Sequence, residues 1–534
     1  MNRDHDNYVE NSYSTHTFLW PFSFGKEYCA AVKGPLSSIW KQDNALLEGS
    51  DAEFMGEYMT AQYTNSETRK IFMGDGETDA PCLRFMYNDE LVSGMKYRIE
   101  RRKDTSVGET QNRRYELKIH SIRLFLFKPF GVGVLAIDAY NTQQLSLDDV
   151  KRINDLGRWL RLPFLPDRDG YIMCAENLGI VIDGDERWMA DFRAAIGTVR
   201  QKKPEQFFEP AEFIYGLLFG KIGAGTGTVT AGEKRMIDPA SDARMYLVSL
   251  IKDDTLSEMA QNIHALLADD GETYRKERDL LYSIIFVDSD YPSCVDAPMQ
   301  RSLLKKAVYY RWSGYGTIYT VTDLSLMCLT PKGISANAVY RLFLSSYVYM
   351  AVLVLTQRVS IEKFAKEASD AVEGAASEGE LGENQIKRII NLHEKYVTWQ
   401  NQINLFELTE KEQGRDVYAL MRERMGVNGR LESLAQQLGN MYAIADVDQN
   451  KRTNAIVMRW ASIAIFVDIL LNLATFVLEL TESGKQIFTD ISLGIPRVFN
   501  EGFFAGWAGA FHLVCLLAYT AIILILVYGY KKKY

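Results

Sequence analysis

The sequence predicts an α+β (or α/β) soluble domain, a long stalk helix and two C-terminal transmembrane helices. Three observations carry this. Short alternating and β-branched runs mix with helical patterns up to about residue 330; a helical pattern without Pro runs from Arg430 to Leu480; and two long, almost uncharged apolar stretches follow.

Composition sets the outer bounds. A chain of 534 residues is long enough for several domains, and 24% charged residues, 47% hydrophobic residues and 13 prolines exclude a collagenous, mucin-like or wholly disordered protein. The formal net charge of −9 argues against a general basic surface, so no direct DNA or RNA binding is expected. Six cysteines, Cys29, Cys82, Cys174, Cys294, Cys328 and Cys515, lie far apart with no CxxC pair. They suggest neither a disulfide framework nor a zinc knuckle, and they fit a reducing compartment.

Residues 1–336 are expected to form a cytoplasmic α/β domain. Tyr115 to Phe130 partly alternates apolar and polar positions, and Gly131 to Ala139 is a β-branched run bounded by turn residues, which predicts a hairpin or neighbouring strands. Ser146 and Asp149 form a capping-box-like start, after which Val150, Ile153, Leu156 and Leu160 keep helical spacing until Pro163. Arg244 to Ile251 and Leu280 to Val287 are further strand candidates.

Residues 337–427 read as a helical cytoplasmic region, interrupted by the Gly- and Glu-rich stretch Val372 to Asn384. Its apolar run from Leu342 to Leu355 is too short for a span, contains Ser345 and Ser346, and is closed by Arg341 and Arg358, so it predicts a buried helix. Residues 428–459 form the expected stalk, with Leu431, Leu434, Leu438, Met441 and Ala445 at three-four spacing.

The first span is placed at 460–480, an outer loop at 481–501, the second span at 502–530 and a basic tail at 531–534. Trp460 to Leu478 holds a single charge and reaches roughly 28 Å as a helix. Gly502 to Tyr530 holds no Lys, Arg, Asp or Glu, with Trp507 near one end and Tyr528 and Tyr530 near the other. Lys451, Arg452 and Arg459 precede the first span, and Lys531, Lys532 and Lys533 follow the second. The positive-inside rule then predicts a multi-pass inner-membrane protein with both termini cytoplasmic, and no signal-like pattern opens the chain.

The first span carries the most informative pattern. Asp468, Asn472, Thr475 and Glu479 are spaced by four, three and four, which puts them on one helical stripe that Ala461 and Ala464 extend. An ionised Asp facing lipid near mid-span costs at least ~2.5 kcal/mol, so the stripe predicts a protein interior or a water-filled pore. In a symmetric oligomer these residues become rings, with Asp468 and Asn472 meeting a transient cation. The other reading is a protonated or bonded Asp468, for example through His512.

Other patterns admit two readings each. Gly223 to Gly232, followed by Glu233, Lys234 and Arg235, is either a phosphate-facing loop or a plain surface loop; Glu233 stands where a Walker A motif needs Lys. Tyr309 to Gly316, with Arg311 and Trp312 and with Lys305 upstream, either stacks a base and pairs a phosphate or reflects helix packing. No HExxH, close histidine pair or GxSxG occurs, so no catalytic constellation is predicted.

Residues 337–534, with a stalk helix, a first span, a short outer loop, a second span and a basic end, resemble the CorA-type divalent cation channels. That resemblance implies a homopentamer whose first spans line the pore and whose polar rings, here Asp468, Asn472 and Thr475, coordinate hydrated Mg2+. The family's Gly-Met-Asn signature is absent; the corresponding stretch is Leu471 to Lys485, LNLATFVLELTESGK.

Thr15 to Phe22, THTFLWPF, and Ile122 to Asp138, IRLFLFKPFGVGVLAID, in the longer N-terminal part are similar to the CorA-like effectors encoded beside type III CRISPR systems. This implies an antiviral channel opened by an adenylate second messenger, S-adenosylmethionine joined to AMP, and no enzyme activity. Two alternatives stay open: a constitutive magnesium or other divalent cation transporter, closed through carboxylates such as Asp446 and Asp448, and a membrane-anchored nucleotide-processing enzyme.

Overall fold

The computed structural model describes residues 11–43, 58, 60–74, 80–101, 113–163, 173–198, 207–222, 226–240, 243–268, 273–333, 336–373, 382–405 and 407–491, the side chains of 336–338 and 474–491 excepted. The chain divides into two compact units, Met1–Tyr442 and Ala443–Tyr534.

The first unit is built on one sheet of 13 strands among the described residues. In chain order they are β1 (Ser14–Phe24), β2 (Trp40–Gln42), β3 (Cys82–Tyr87), β4 (Met95–Arg101), β5 (Arg113–Phe127), β6 (Val132–Asn141), β7 (Asn177–Ile182), β8 (Asp185–Asp191), β9 (Ile237–Pro239), β10 (Tyr246–Lys252), β11 (Val308–Tyr309), β12 (Ile318–Val321) and β13 (Ser325–Thr330). The spatial order is β11-β12-β13-β10-β1-β6-β5-β4-β7-β8. β1 is central and antiparallel to both β6 and β10, whereas β10 and β13 are parallel. A parallel pair needs a long crossover, and the helices between Asp254 and Ala307 supply it.

The expected hairpin is present as β5 and β6, joined through Gly131 at φ 61°. β5 is long enough to carry two neighbours on one edge, β4 along its first half and β3 along its second, and its register with β6 shifts between Ile119 and Ser121. The first half alternates between buried and more exposed positions, while Phe125 to Phe127 is buried continuously because both faces are covered there.

Two cores therefore sit on opposite faces, and the period of two sorts β1 between them. Phe18, Trp20 and Phe22 enter one core and Leu19 the other. In β10, Leu247 and Ile251 face the first while Tyr246, Val248 and Leu250 face the second.

The run from Leu342 to Leu355 is buried as predicted. It contains a π-helical turn, Phe343–Tyr347, and the start of the helix Val348–Val372, whose residues Val348 to Leu355 all lie in the second core. The helices Glu383–Gln402 and Glu412–Arg424 cover this helix, so the residues read as a separate helical region belong to the same unit as the sheet. Gln357 binds them together: its Nε2 donates to the Ile403 carbonyl at 2.9 Å and to the Tyr418 hydroxyl at 2.8 Å. The expected loop between Val372 and Asn384 falls largely outside the described residues.

Leu280 to Val287 is not a strand. It completes the helix Arg275–Ile285, which buries Arg278, Leu281, Ile284 and Ile285 on one side. The apolar run LLYSIIFV carries no period of its own, and the charged residues before it extend a helical repeat that the run alone conceals.

The Ser146 cap is formed: its hydroxyl accepts from the Asp149 N–H at 3.1 Å and donates to the Asp149 carboxylate at 2.6 Å. The helix ends at Leu156, before the expected stop at Pro163, with Gly157 as its cap. Ser146→Ala is expected to cost about 1 kcal/mol, read as a lower urea midpoint.

His16 lies buried in β1. Its Nδ1 donates to Asn154 Oδ1 at 2.7 Å, leaving Nε2 to accept from the Ser14 hydroxyl at 2.9 Å. Burial lowers its pKa to about 4 against a smaller opposite effect of the Asn154 bond. An unfolded imidazole titrates near 6.5, so between these values the unfolded chain binds more protons. Stability from a neutral His16 is full above about pH 6.5 and falls by roughly 3 kcal/mol as the pH drops toward 4. His16→Gln is expected to narrow the gap between urea midpoints measured at pH 7 and pH 5.

Candidate pore helix and ligand-facing clusters

The residues expected as stalk and first span form one helix, Val427–Ile491, which starts after Gly426 at φ 68°. Its helical backbone extends beyond Leu480 into the stretch expected as an outer loop. Within the first unit, Leu434 and Leu438 are buried in the second core, and Tyr442 stacks on His393 with ring centroids 4.3 Å apart.

Arg422 fixes the start of this helix. Its Nε donates to Asn428 Oδ1 at 3.0 Å, while its terminal nitrogens donate to the Leu405 carbonyl at 2.7 Å and to Asn404 Oδ1 at 2.9 Å. Glu362, on the buried helix, pairs with Arg358 at 3.4 Å and with Arg430 in the first turn of the stalk.

Two helical stretches among the described residues, Val339–Val372 and Val427–Leu473, are long and apolar enough to cross a membrane. They differ in burial. The most apolar window of the first is 72% buried inside the structure, whereas that of the second is 0% buried. Ile456, Val457, Trp460, Ile465, Phe466 and Ile469 are exposed on it. Among the described residues nothing covers this apolar surface, which lipid, other copies of the chain or other parts of the chain would have to shield.

Asp468 and Asn472 interrupt that surface. Asn472 Nδ2 donates to Asp468 Oδ2 at 3.3 Å, one turn apart, so the two are neighbours as their spacing predicts. The side chains of Thr475 and Glu479, and the second span with His512, lie outside the described residues. Earlier in the same helix, Asp446 accepts from Asn450 Nδ2 at 3.1 Å, and Asp448 pairs with Lys451 at 3.7 Å. Among the described residues, one chain gathers no three His, Cys, Asp or Glu side chains that would hold a metal ion.

The proposed ligand contacts fall into two clusters packed against different helices. Lys234 ends a short helix, Ala231–Lys234, opened by a Thr230–Glu233 capping box. It pairs with Glu209 at 3.5 Å and with Glu212, and lies 5.0 Å from the Tyr215 ring centre. Burial alone raises the Glu233 pKa, but Lys221 and Thr230 outweigh it and hold the carboxyl below its ordinary range. Arg235 is exposed.

In the second cluster Arg311 pairs with Glu412 at 2.7 Å and approaches Asp416 at 4.0 Å, while the Tyr309 hydroxyl donates to Asp416 at 2.8 Å. The bond to Glu412 is the main reason the Arg311 pKa is raised. Trp312 packs half-buried against the second core, and Lys305 is exposed. In both clusters a cation read from the sequence as phosphate-facing is already matched by a carboxylate that is distant in the chain.

A larger concavity escaped sequence reasoning. A cleft of about 830 Å3 opens beside the buried helix, with Arg161, Phe208, Asp238, Lys363, Lys366 and Asp370 among its lining residues. These come from four separate segments without a shared motif, so only folding brings them together. Lys363 Nζ donates to the carbonyls of Phe130 at 2.8 Å and Gly131 at 3.2 Å, and burial lowers its pKa.

No protein-family model matches the chain, and no curated protein or solved structure is found similar to it.

Proposed function

We infer that this chain is a CorA-like channel, a homo-oligomer and by its resemblance a pentamer, whose soluble unit senses a ligand and whose helix Val427–Ile491 lines a cation pore. One observation supports this above the rest: Asp468 and Asn472 form a polar step on a helix stretch whose apolar side chains are otherwise uncovered among the described residues. A shared aqueous axis gives these two groups water while leaving the other faces to lipid and neighbouring helices. One chain cannot enclose such an axis, so the reading requires several copies.

The buried helix and the stalk meet through Glu362 and Arg430, and Arg422 holds Asn428. A ligand that prefers one arrangement of the soluble unit would shift the pore by no more than that preference. On this reading the ligand is an adenylate such as S-adenosylmethionine joined to AMP, the output is ion flow across the inner membrane, and the role is that of an antiviral type III CRISPR effector. The departure from Gly-Met-Asn leaves Mg2+ one candidate cation among several.

Cysteine cross-linking tests the geometry. Asn472→Cys is expected to form disulfide-linked copies in membranes, whereas Phe466→Cys, roughly 200° around the helix from Asp468, is expected to form few. Equal cross-linking at both positions, or none at 472, would contradict a shared axis.

A further inference from the structure

We propose that the cleft beside the helix Val348–Val372 binds a nucleoside phosphate, and that its occupant acts on the first turn of the stalk through Glu362 and Arg430. The proposal rests on reading the soluble unit as a ligand sensor and assigns that sensor a site away from Lys305 and Arg311.

At about 830 Å3 the cleft falls within the usual range for small-molecule sites, roughly 300–1,000 Å3. Its cations are placed for an anion. The Lys363 ammonium is half-buried and hydrogen-bonded to two backbone carbonyls, with the Glu367 and Asp238 carboxylates acting on it only through space. Lys366, nearly one turn further along the helix, is exposed and has no polar partner among the described residues. Arg161 donates to the Phe208 carbonyl at 2.7 Å and lies 5.3 Å from the ring centre, fixing a side chain that is 60% exposed. A flat ring thus has an aromatic surface beside the cations.

The acidic residues sharpen the ligand class. Glu209 and Glu367 are matched by Lys234 and Lys395, and Asp238 acts electrostatically on Lys363, whereas Asp370 has no polar partner among the described residues. A simple anion would meet the carboxylates of Asp238 and Asp370, and a simple cation would meet Lys363, Lys366 and Arg161. A nucleoside phosphate satisfies both sets: phosphate oxygens accept from the cations, while base N–H or ribose hydroxyl groups donate to the carboxylates.

Glu362 also lines the cleft and holds Arg430. A phosphate entering beside it competes for that guanidinium, so occupancy and the setting of the stalk's first turn are linked reciprocally.

The test is equilibrium binding of radiolabelled ATP to the full chain in detergent, with pyrophosphate and adenosine as competitors. Saturable ATP binding is expected, weakened about tenfold or more by Lys366→Glu and several-fold by Phe208→Ala, both exposed positions, and unaffected by Lys305→Glu. Pyrophosphate and adenosine are each expected to compete far less well than unlabelled ATP. Absence of binding at millimolar ATP, full affinity in Lys366→Glu, or pyrophosphate competing as well as ATP would overturn the proposal. Binding is read without ion flux, so a cleft that binds nothing and a helix that conducts nothing are separate failures.

Discussion

Asp138→Ala is expected to cost the first unit about 3–5 kcal/mol, a large fraction of the ~5–15 kcal/mol stability of a typical folded unit. Asp138 lies in β6, where Arg123 of β5 grips both carboxylate oxygens at 2.8 Å and the hydroxyls of Thr17 and Ser121 donate to it. Thr17 and Ser121 are its cross-strand partners on β1 and β5, so the pair sits at the centre of the sheet. Burial alone would raise the Asp138 pKa, but Arg123 and the two hydroxyls outweigh burial and hold the carboxyl below its ordinary range. Alanine leaves the guanidinium, only 15% exposed, without its counter-charge. Replacing both partners, as in Arg123→Met with Asp138→Leu, removes the stranded charge and is expected to recover most of the loss. Urea unfolding of the wild type and both variants checks this, and a double variant no more stable than Asp138→Ala would contradict it.

The second large effect concerns solubility. A chain ending at Tyr442 is expected to remain in the supernatant without detergent and to unfold cooperatively, whereas the full chain is expected to sediment with membranes. Both cores are completed by residues before Tyr442: the sheet faces, the buried helix and the stalk positions Leu434 and Leu438. Beyond it, Val457, Phe466 and Leu473 are each more than half exposed, and nothing in the chain covers them among the described residues. At about 25 cal/mol per Å2 such side chains favour lipid by more than 1 kcal/mol each. Sedimentation after alkaline extraction checks both halves of the prediction.

Much of the architecture was legible because the period of the hydrophobic pattern reports directly on geometry. The β5–β6 hairpin, the Ser146 cap, the buried run after Leu342 and the uninterrupted stalk all follow from local pattern. The run at Leu280 failed because eight consecutive near-apolar residues fit a helix and a strand alike. The join between the helical region and the sheet was not legible, since Gln357, Tyr418 and Ile403 meet only after the chain returns across the second core.

The candidate sites divide the same way. Asp468 and Asn472 are one turn apart in sequence and therefore neighbours in the helix. The ligand-facing cations were not legible, because a positive side chain in sequence does not reveal whether a distant carboxylate matches it. Glu412 does this for Arg311, and Glu209 and Glu212 do it for Lys234. The cleft residues Arg161, Phe208, Asp238 and Lys366 share neither period nor motif.

The most direct test of a polar pore along Val427–Ile491 is cation flux through the purified full chain in liposomes, with Asp468→Ala beside it, each with and without the S-adenosylmethionine–AMP conjugate. Flux is expected to rise on adding the conjugate and, in Asp468→Ala, conductance or cation preference is expected to change several-fold with the oligomer intact. Identical flux and identical cation preference in the two proteins would contradict the polar pore.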